Sequence, residues 1–167
     1  SKQIDDKNLE QSIYLNLGDV CLEKGDYLGM KPYMEKALVL SKELEIHESE
    51  LIAIKGLSFY YQFKKDYDRS EALAREALAL SHRFNLRIQR QKVLVHLSNL
   101  GYSKQDIRMG EYYANQSSLL GDSILNESIQ TATLELEKKY ENEKKENLFE
   151  NILQSFITRK SCKVFTS

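Results

Sequence analysis

The sequence repeats itself at a fixed interval of 40 residues. Residues 11–50, 51–90 and 91–130 align without a gap, with the same types of side chain at the same positions. The clearest matches, one from each unit, are Leu17, Leu57 and Leu97; Asp26, Asp66 and Asp106; Ala37, Ala77 and Ser117; and Leu40, Leu80 and Leu120. A period of this length is typical of stacked helical units, because one unit cannot bury its own apolar face and needs neighbours. The repeat therefore predicts an all-α solenoid.

Each unit is predicted to contain two helices. In the first unit, apolar side chains recur at steps of three and four residues until Lys24-Gly25-Asp26, where glycine can close a helix. A second apolar pattern then runs from Met30 to Leu40, and Pro32 lies in its first turn, where proline is tolerated. One proline and seven glycines in the whole chain leave little material for turn-rich β structure. We expect each pair to bury its matched leucine and its matched small residue (Ala37, Ala77 or Ser117) between its two helices.

A different pattern follows the repeats, which we place within residues 1–124, at about 11–50, 51–90 and 91–124. An apolar stripe from Leu125 to Tyr140 and a charged stretch over residues 141–147 predict a seventh, long helix that begins near residue 124. We expect residues 125–157 to cap and extend the stack and residues 158–167 to form a frayed tail.

Five large apolar residues follow the charged stretch: Leu148, Phe149, Ile152, Leu153 and Phe156. Left exposed, such a patch is a liability for a soluble chain. We expect it to be covered by a second copy of the chain, by folding back onto the repeats, or by a following domain. A self-complementary helix pair is the simplest of these, and it predicts a homodimer.

The residues that carry the repeat resemble those of the tetratricopeptide repeat family. Tyr14, Leu17-Gly18 and Cys21 stand at the family's aromatic, Leu-Gly and second aromatic positions, and Gly25-Asp26-Tyr27 matches its turn. The resemblance covers about residues 10–124 and implies a right-handed α-α superhelix of three helix pairs, followed here by the long C-terminal helix. The closing proline of the family is absent, which is consistent with longer second helices and a longer unit.

The same resemblance implies a protein-interaction scaffold. In this family the first helix of each pair lines a concave groove, and mixed polar and aromatic groups on that face suit a peptide. The groove residues predicted here are Asp19, Lys55, Phe59, Gln62, Lys92, Asn99 and Tyr102. The stretch from Leu134 to Glu146 also resembles the segment that follows such arrays in bacterial signalling proteins. The function expected is therefore that of a sensory or regulatory region that binds a peptide or protein.

Composition argues against the main alternatives. The net charge of −1 and the two lysines and one aspartate in the groove disfavour a helical-repeat nucleic-acid reader, although Arg159, Lys160 and Lys163 form a short basic cluster. No apolar run is long enough to span a membrane, so no membrane contact by this segment is expected. Cys21 and Cys162 indicate no disulfide framework and leave the compartment open; composition suits the cytoplasm, and a periplasmic sensor region is the other interpretation.

No feature of the sequence supports an enzyme. The histidines His47, His82 and His96 lack a metal-ligand spacing, and there is no phosphate-binding glycine loop or nucleophile elbow. We therefore predict no catalytic residue, no metal site and no cofactor.

Overall fold

A computed structural model describes residues 2–164, with side chains from residue 3 to residue 159. This part of the chain forms six helices and no strand. The helices are α1 (Lys2–Glu23), α2 (Tyr27–Glu43), α3 (His47–Phe63), α4 (Tyr67–Arg83), α5 (Arg87–Ser103) and α6 (Ile107–Val164). The all-α solenoid expected from the 40-residue period is confirmed.

Five turns of the same geometry join the six helices. Each turn has three residues, and its middle residue has a positive φ: Gly25, Glu45, Lys65, Asn85 and Gln105. The residue after it bonds back to the helix, as when the Asp26 N–H donates to the Cys21 carbonyl at 2.8 Å. This is the Schellman arrangement, which satisfies carbonyl groups that a helix end leaves unpaired.

The aspartate at each turn within a repeat is an N-cap. The carboxylates of Asp26, Asp66 and Asp106 each accept a hydrogen bond from the backbone N–H three residues later, at 2.9, 3.3 and 3.0 Å. The turns between repeats end instead in Ile46 and Leu86, which make no side-chain cap. The aspartates that mark the period in the sequence therefore mark where each second helix starts.

Helices adjacent in sequence pack against each other from α1 to α5, and the first helix α3 also touches the first helices α1 and α5. The small residues Ala37, Ala77 and Ser117 are buried, as expected. Leu57 and Leu97 are buried too, at 7% and 0% exposure. The expectation is wrong for Leu17, which is 40% exposed, because in the described chain no helix pair precedes α1 to cover this face.

Residues 2–164 contain no separate seventh helix, because α6 runs without a break from Ile107 to Val164. In the repeat register, position 125 corresponds to Glu45 and Asn85, which take the left-handed conformation that ends α2 and α4. Leu125 stands there and stays helical. The side chains from Leu125 to Gln130 are exposed, so burial does not favour a turn at this point. The helix also continues past residue 158, where the sequence suggested a frayed tail, and residues 165–167 lie outside the described part.

Contacts divide the chain into two compact units, one up to Ile124 and one from Leu125 onwards. The first unit holds two apolar clusters. One joins Met30, Met34 and Ala37 of α2 to Ala53 and Leu57 of α3. The other joins α3, α4, α5 and Tyr113 at the start of α6. The core of the first unit is therefore continuous through the shared helix α3.

Candidate functional site

All seven predicted groove residues lie on the first helices of the repeats. Asp19 is on α1; Lys55, Phe59 and Gln62 are on α3; Lys92, Asn99 and Tyr102 are on α5. The four on α1 and α3 are half-buried, and the three on α5 are exposed. Helix α3 contacts both α1 and α5, and Asp19, Lys55 and Lys92 on these three helices are close enough to influence one another's charge. We call the surface of these seven residues the first-helix wall.

Three charged side chains on the first-helix wall influence one another. The pKa of the Lys55 ammonium lies below its ordinary value, chiefly because of burial and then because of the charge on Lys92, with Asp19 opposing. Burial raises the pKa of the Asp19 carboxyl, which Lys55 and Lys92 partly offset. Among the described side chains, Lys55 makes no ion pair as short as 4 Å. The wall therefore offers a half-buried cation whose charge is incompletely compensated.

A polar network lies behind these charges. Ser58 Oγ lies 2.7 Å from His96 Nε2 and 2.7 Å from the Ser70 carbonyl oxygen, and Ser70 Oγ donates to the Ser58 carbonyl at 2.9 Å. The ring of Phe59 lies against the imidazole of His96, with centroids 3.9 Å apart. These contacts tie α3 to both α4 and α5 at the level of Lys55.

His96 is fully buried and uncharged near neutral pH. Its pKa is lowered to about 4, first because burial disfavours the charged ring and then because of the charge on Lys55. The Nδ1 atom of His96 has no hydrogen-bond partner among the described residues.

The remaining predicted residues differ in their surroundings. Gln62 Nε2 donates to Ser103 Oγ at 3.1 Å and so links α3 to α5 on the wall. The Tyr102 ring lies against Gly110, where an added Cβ would come within 2.6 Å of the ring. Tyr102 therefore belongs partly to the packing between α5 and α6, although 45% of its surface stays exposed. Asn99 is exposed on the same helix.

The packing roles of His96 and Ser58 were not predicted from the sequence. The signal was the small residue after each matched leucine. Ser58 bonds to the Ser70 carbonyl, and Ser98 bonds to the Gly110 carbonyl at 2.8 Å, each 12 residues further along the chain. At the equivalent position Gly18 lies against Met34. The small side chain is thus the point where the two helices of each pair meet.

The five predicted contact residues of the C-terminal segment lie in the second unit, on α6. Leu148, Phe149, Ile152, Leu153 and Phe156 are exposed by 47–66%. Their helical positions put them on one broad face of α6. Within the described chain this face is uncovered.

The described residues hold no group of three or more His, Cys, Asp or Glu side chains placed to bind a metal ion. None of the helices in residues 2–164 combines the length and apolarity that crossing a bilayer requires.

Comparison with known proteins bears on residues 9–81. This stretch matches the family model described as tetratricopeptide repeat. The tetratricopeptide resemblance of the first two helix pairs is confirmed. No curated protein matches the chain.

Two solved structures share the fold at low sequence identity. The tetratricopeptide repeat domain of Arabidopsis FLU superposes with a TM-score of 0.62 and 17% identity, over 70% of this chain and 98% of that domain. BtubC from P. vanneervenii superposes with a TM-score of 0.57 and 17% identity, over 72% of this chain and 52% of that one. Tetratricopeptide repeat domains generally mediate protein–protein interaction and are typically non-enzymatic.

Proposed function

We propose that this chain binds a peptide or a protein segment on the first-helix wall, as the sensory or regulatory part of a bacterial signalling protein. The observation that carries the binding proposal is the position of Lys55. It is half-buried and feels the charges of both Lys92 and Asp19, but it has no ion pair as short as 4 Å among the described side chains. Burial removes part of the hydration that stabilises the charged ammonium group. A hydrogen-bond acceptor on a ligand would replace that stabilisation.

Neighbouring groups supply the rest of a peptide site. Phe59 and Tyr102 offer aromatic surface, while Asn99 offers an amide that can bond to a peptide backbone. An extended segment needs this mixture of apolar contact and backbone hydrogen bonds. The rigid packing of α3 against α4 and α5 holds the groups in place, which lowers the entropy cost of binding.

The test is a titration of a captured and purified partner against matched variants. Lys55→Met keeps the apolar stem and removes the charge, Asn99→Ala removes the amide, and Phe59→Leu reduces the aromatic surface. Each should weaken binding by roughly tenfold, a typical interface contribution of about 1–2 kcal/mol. Glu76→Ala, on the exposed surface of α4, should leave the affinity unchanged.

Melting temperatures separate binding from folding in this experiment. The Lys55 and Asn99 variants should melt within a few degrees of the parent chain, because neither side chain belongs to the two apolar clusters of the core. Binding that ignores all three wall variants would contradict the proposed site.

The signalling role rests on the segment Leu134–Glu146, whose charged helical composition resembles that of linkers in bacterial regulators. Reading the complete open reading frame tests it directly. We expect a membrane helix, a histidine kinase or a DNA-binding domain to be encoded in the same frame. A reading frame without any output domain would contradict this role.

We also propose that α6 mediates homodimerisation through Leu148, Phe149, Ile152, Leu153 and Phe156. Pairing two copies of this face would bury apolar surface that is otherwise exposed to water. Light scattering should give a dimer for the full chain and a monomer for a chain ending at Tyr140. Leu153→Glu should also give a monomer, whereas Asn151→Glu, on the opposite side of the helix, should not. A full chain that is monomeric at high micromolar concentration would refute the dimer.

A further inference from the structure

Helix α1 carries an uncovered apolar face. Ile13, Leu17 and Val20 lie at helical steps of four and three residues, and they are 47%, 40% and 44% exposed. We call these three residues the α1 face. Apolar side chains in such a row on one helix usually mark a surface that packs against another element.

The same positions are covered in the two repeats that follow. One repeat later stand Ala53, Leu57 and Tyr60, and two repeats later stand Val93, Leu97 and Leu100. Ala53 and Leu57 are buried in one cluster with the second helix of the preceding repeat, α2. Val93 and Leu97 are buried in one cluster with the next such helix, α4. The α1 face is therefore one side of an interface that the molecule forms twice.

The first six residues of the sequence match the segments that lead into α3 and α5. Residues 1–6 read Ser-Lys-Gln-Ile-Asp-Asp, in exact 40-residue register with Ser-Lys-Glu-Leu-Glu-Ile at 41–46 and Ser-His-Arg-Phe-Asn-Leu at 81–86. Serine is common to all three, and an apolar residue stands at Ile4, Leu44 and Phe84. In the two later copies these residues are the end of a second helix and the turn that follows it.

The chemistry of residues 5 and 6 suits such a turn. Asp5 corresponds to Glu45 and Asn85, which have φ values of 56° and 52°. Aspartate and asparagine take this left-handed conformation more readily than most residues. Asp6 corresponds to the N-cap positions Ile46 and Leu86, and aspartate is among the best N-cap residues. In the structure described here, with no helix before them, these residues are part of α1.

We propose that the α1 face binds the second helix of a further repeat of the same 40-residue type, encoded N-terminal to residue 1 in the same polypeptide. Residues 1–6 are then the end of that helix and its turn. A second copy of this chain is the weaker candidate. In α2 and α4, Leu38 and Leu78 pack against the apolar clusters. The equivalent residue in the third repeat is the exposed Ser118, so a second copy would offer the α1 face a less apolar partner.

The test adds one further repeat before residue 1 and measures amide exchange in α1. Residues 47–80, which are α3 and most of α4, are fused directly before residue 1 of the full chain, so that residues 1–6 replace 81–86 in their register. Amide exchange over residues 9–20 should slow by roughly tenfold or more, because the added helix covers the α1 face. A flexible Gly/Ser extension of the same length should leave that exchange unchanged.

Leu17→Glu is the deciding variant. It should abolish the protection in the extended chain and change exchange in the original chain little, since Leu17 is already exposed there. Equal exchange with and without the added repeat would overturn the proposal, as would an added repeat that stays unfolded beside a folded chain. An original chain that forms dimers or filaments dissolved by Leu17→Glu would also overturn it, by assigning the α1 face to contact between copies.

Discussion

Ser58 Oγ lies 2.7 Å from Nε2 of His96, and this contact joins two successive first helices inside the stack. The hydroxyl is also within bonding distance of the Ser70 carbonyl and hydroxyl oxygens. One small side chain therefore connects α3 with both α4 and α5. The wall that carries the candidate site is built on this polar contact as well as on apolar packing.

His96 should make the stability of the repeats depend on pH. Its pKa is about 4 in the folded chain against an ordinary value of 6.5, so between these values the unfolded chain binds more protons than the folded one. The contribution of uncharged His96 to the free energy of unfolding is fully present above pH 6.5. It is lost as the pH falls towards 4, and the loss is up to about 3 kcal/mol. Urea unfolding at pH 7 and pH 4.5 measures it. His96→Gln should lose less stability over this interval than the parent chain, and equal losses would contradict the assignment.

Ala77→Glu should unfold part of the stack. Ala77 is fully buried between helices, so the new carboxylate would be buried without a partner at a cost of several kcal/mol. Ala72→Glu makes the same change at an exposed position of the same helix and should shift the melting temperature little. Similar melting temperatures for the two variants would show that Ala77 does not lie on the buried face of α4.

Two glycine variants should differ because their neighbours differ in freedom to move. A Cβ on Gly101 would lie 2.5 Å from the backbone nitrogen of Gly110, so α5 and α6 would have to separate. A Cβ on Gly18 would meet only the flexible end of the Met34 side chain, at 2.7 Å. We expect Gly101→Ala to cost about 2–3 kcal/mol and Gly18→Ala clearly less, by chemical denaturation. The reverse order would refute the close approach of α5 and α6.

Lys65→Gly should stabilise the chain. Lys65 has a φ of 60° at the position where the first repeat has Gly25, and a non-glycine residue in this conformation is strained. After the greater backbone entropy of glycine in the unfolded chain is subtracted, we expect a gain of up to about 1 kcal/mol. The converse change, Gly25→Lys, should destabilise by a similar amount although there is open space around Gly25. A destabilised Lys65→Gly variant would contradict this view of the turn.

The 40-residue period was enough to predict the helix pairs, because matched residues such as Ala37 and Ala77 report repeated packing. The period gave wrong expectations where a repeat lacks one of the neighbouring helices that the other repeats have. Leu17 has the right residue type but lacks the preceding helix that covers Leu57 and Leu97. The missing turn near Leu125 could not have been recognised from residue type, because Glu45 and Lys65 take a positive φ although they are helix formers comparable to leucine.

The candidate site was predictable only as a set of positions. Helical spacing placed Lys55 and Lys92 on one surface, but it carries no information on which neighbours a long side chain will meet. The contact of His96 with Phe59 and Ser58 depends on how closely α3 and α5 approach, which is a property of the packed stack. The sequence therefore predicts positions on the first helices but not the buried polar network behind them.

The five left-handed turn residues are spaced at intervals of 20 residues, half the interval at which the side-chain pattern recurs. The backbone geometry of the turns is thus the same after first and second helices. Side chains such as Asp26 and Ile46 distinguish the turn within a repeat from the turn between repeats. A duplication of 20 residues would preserve the spacing of the turns but exchange first and second helices, so that the capping residue Asp26 and the buried residue Ala37 would meet different neighbours. Duplication of a whole pair of helices keeps both the turns and the neighbours of each side chain.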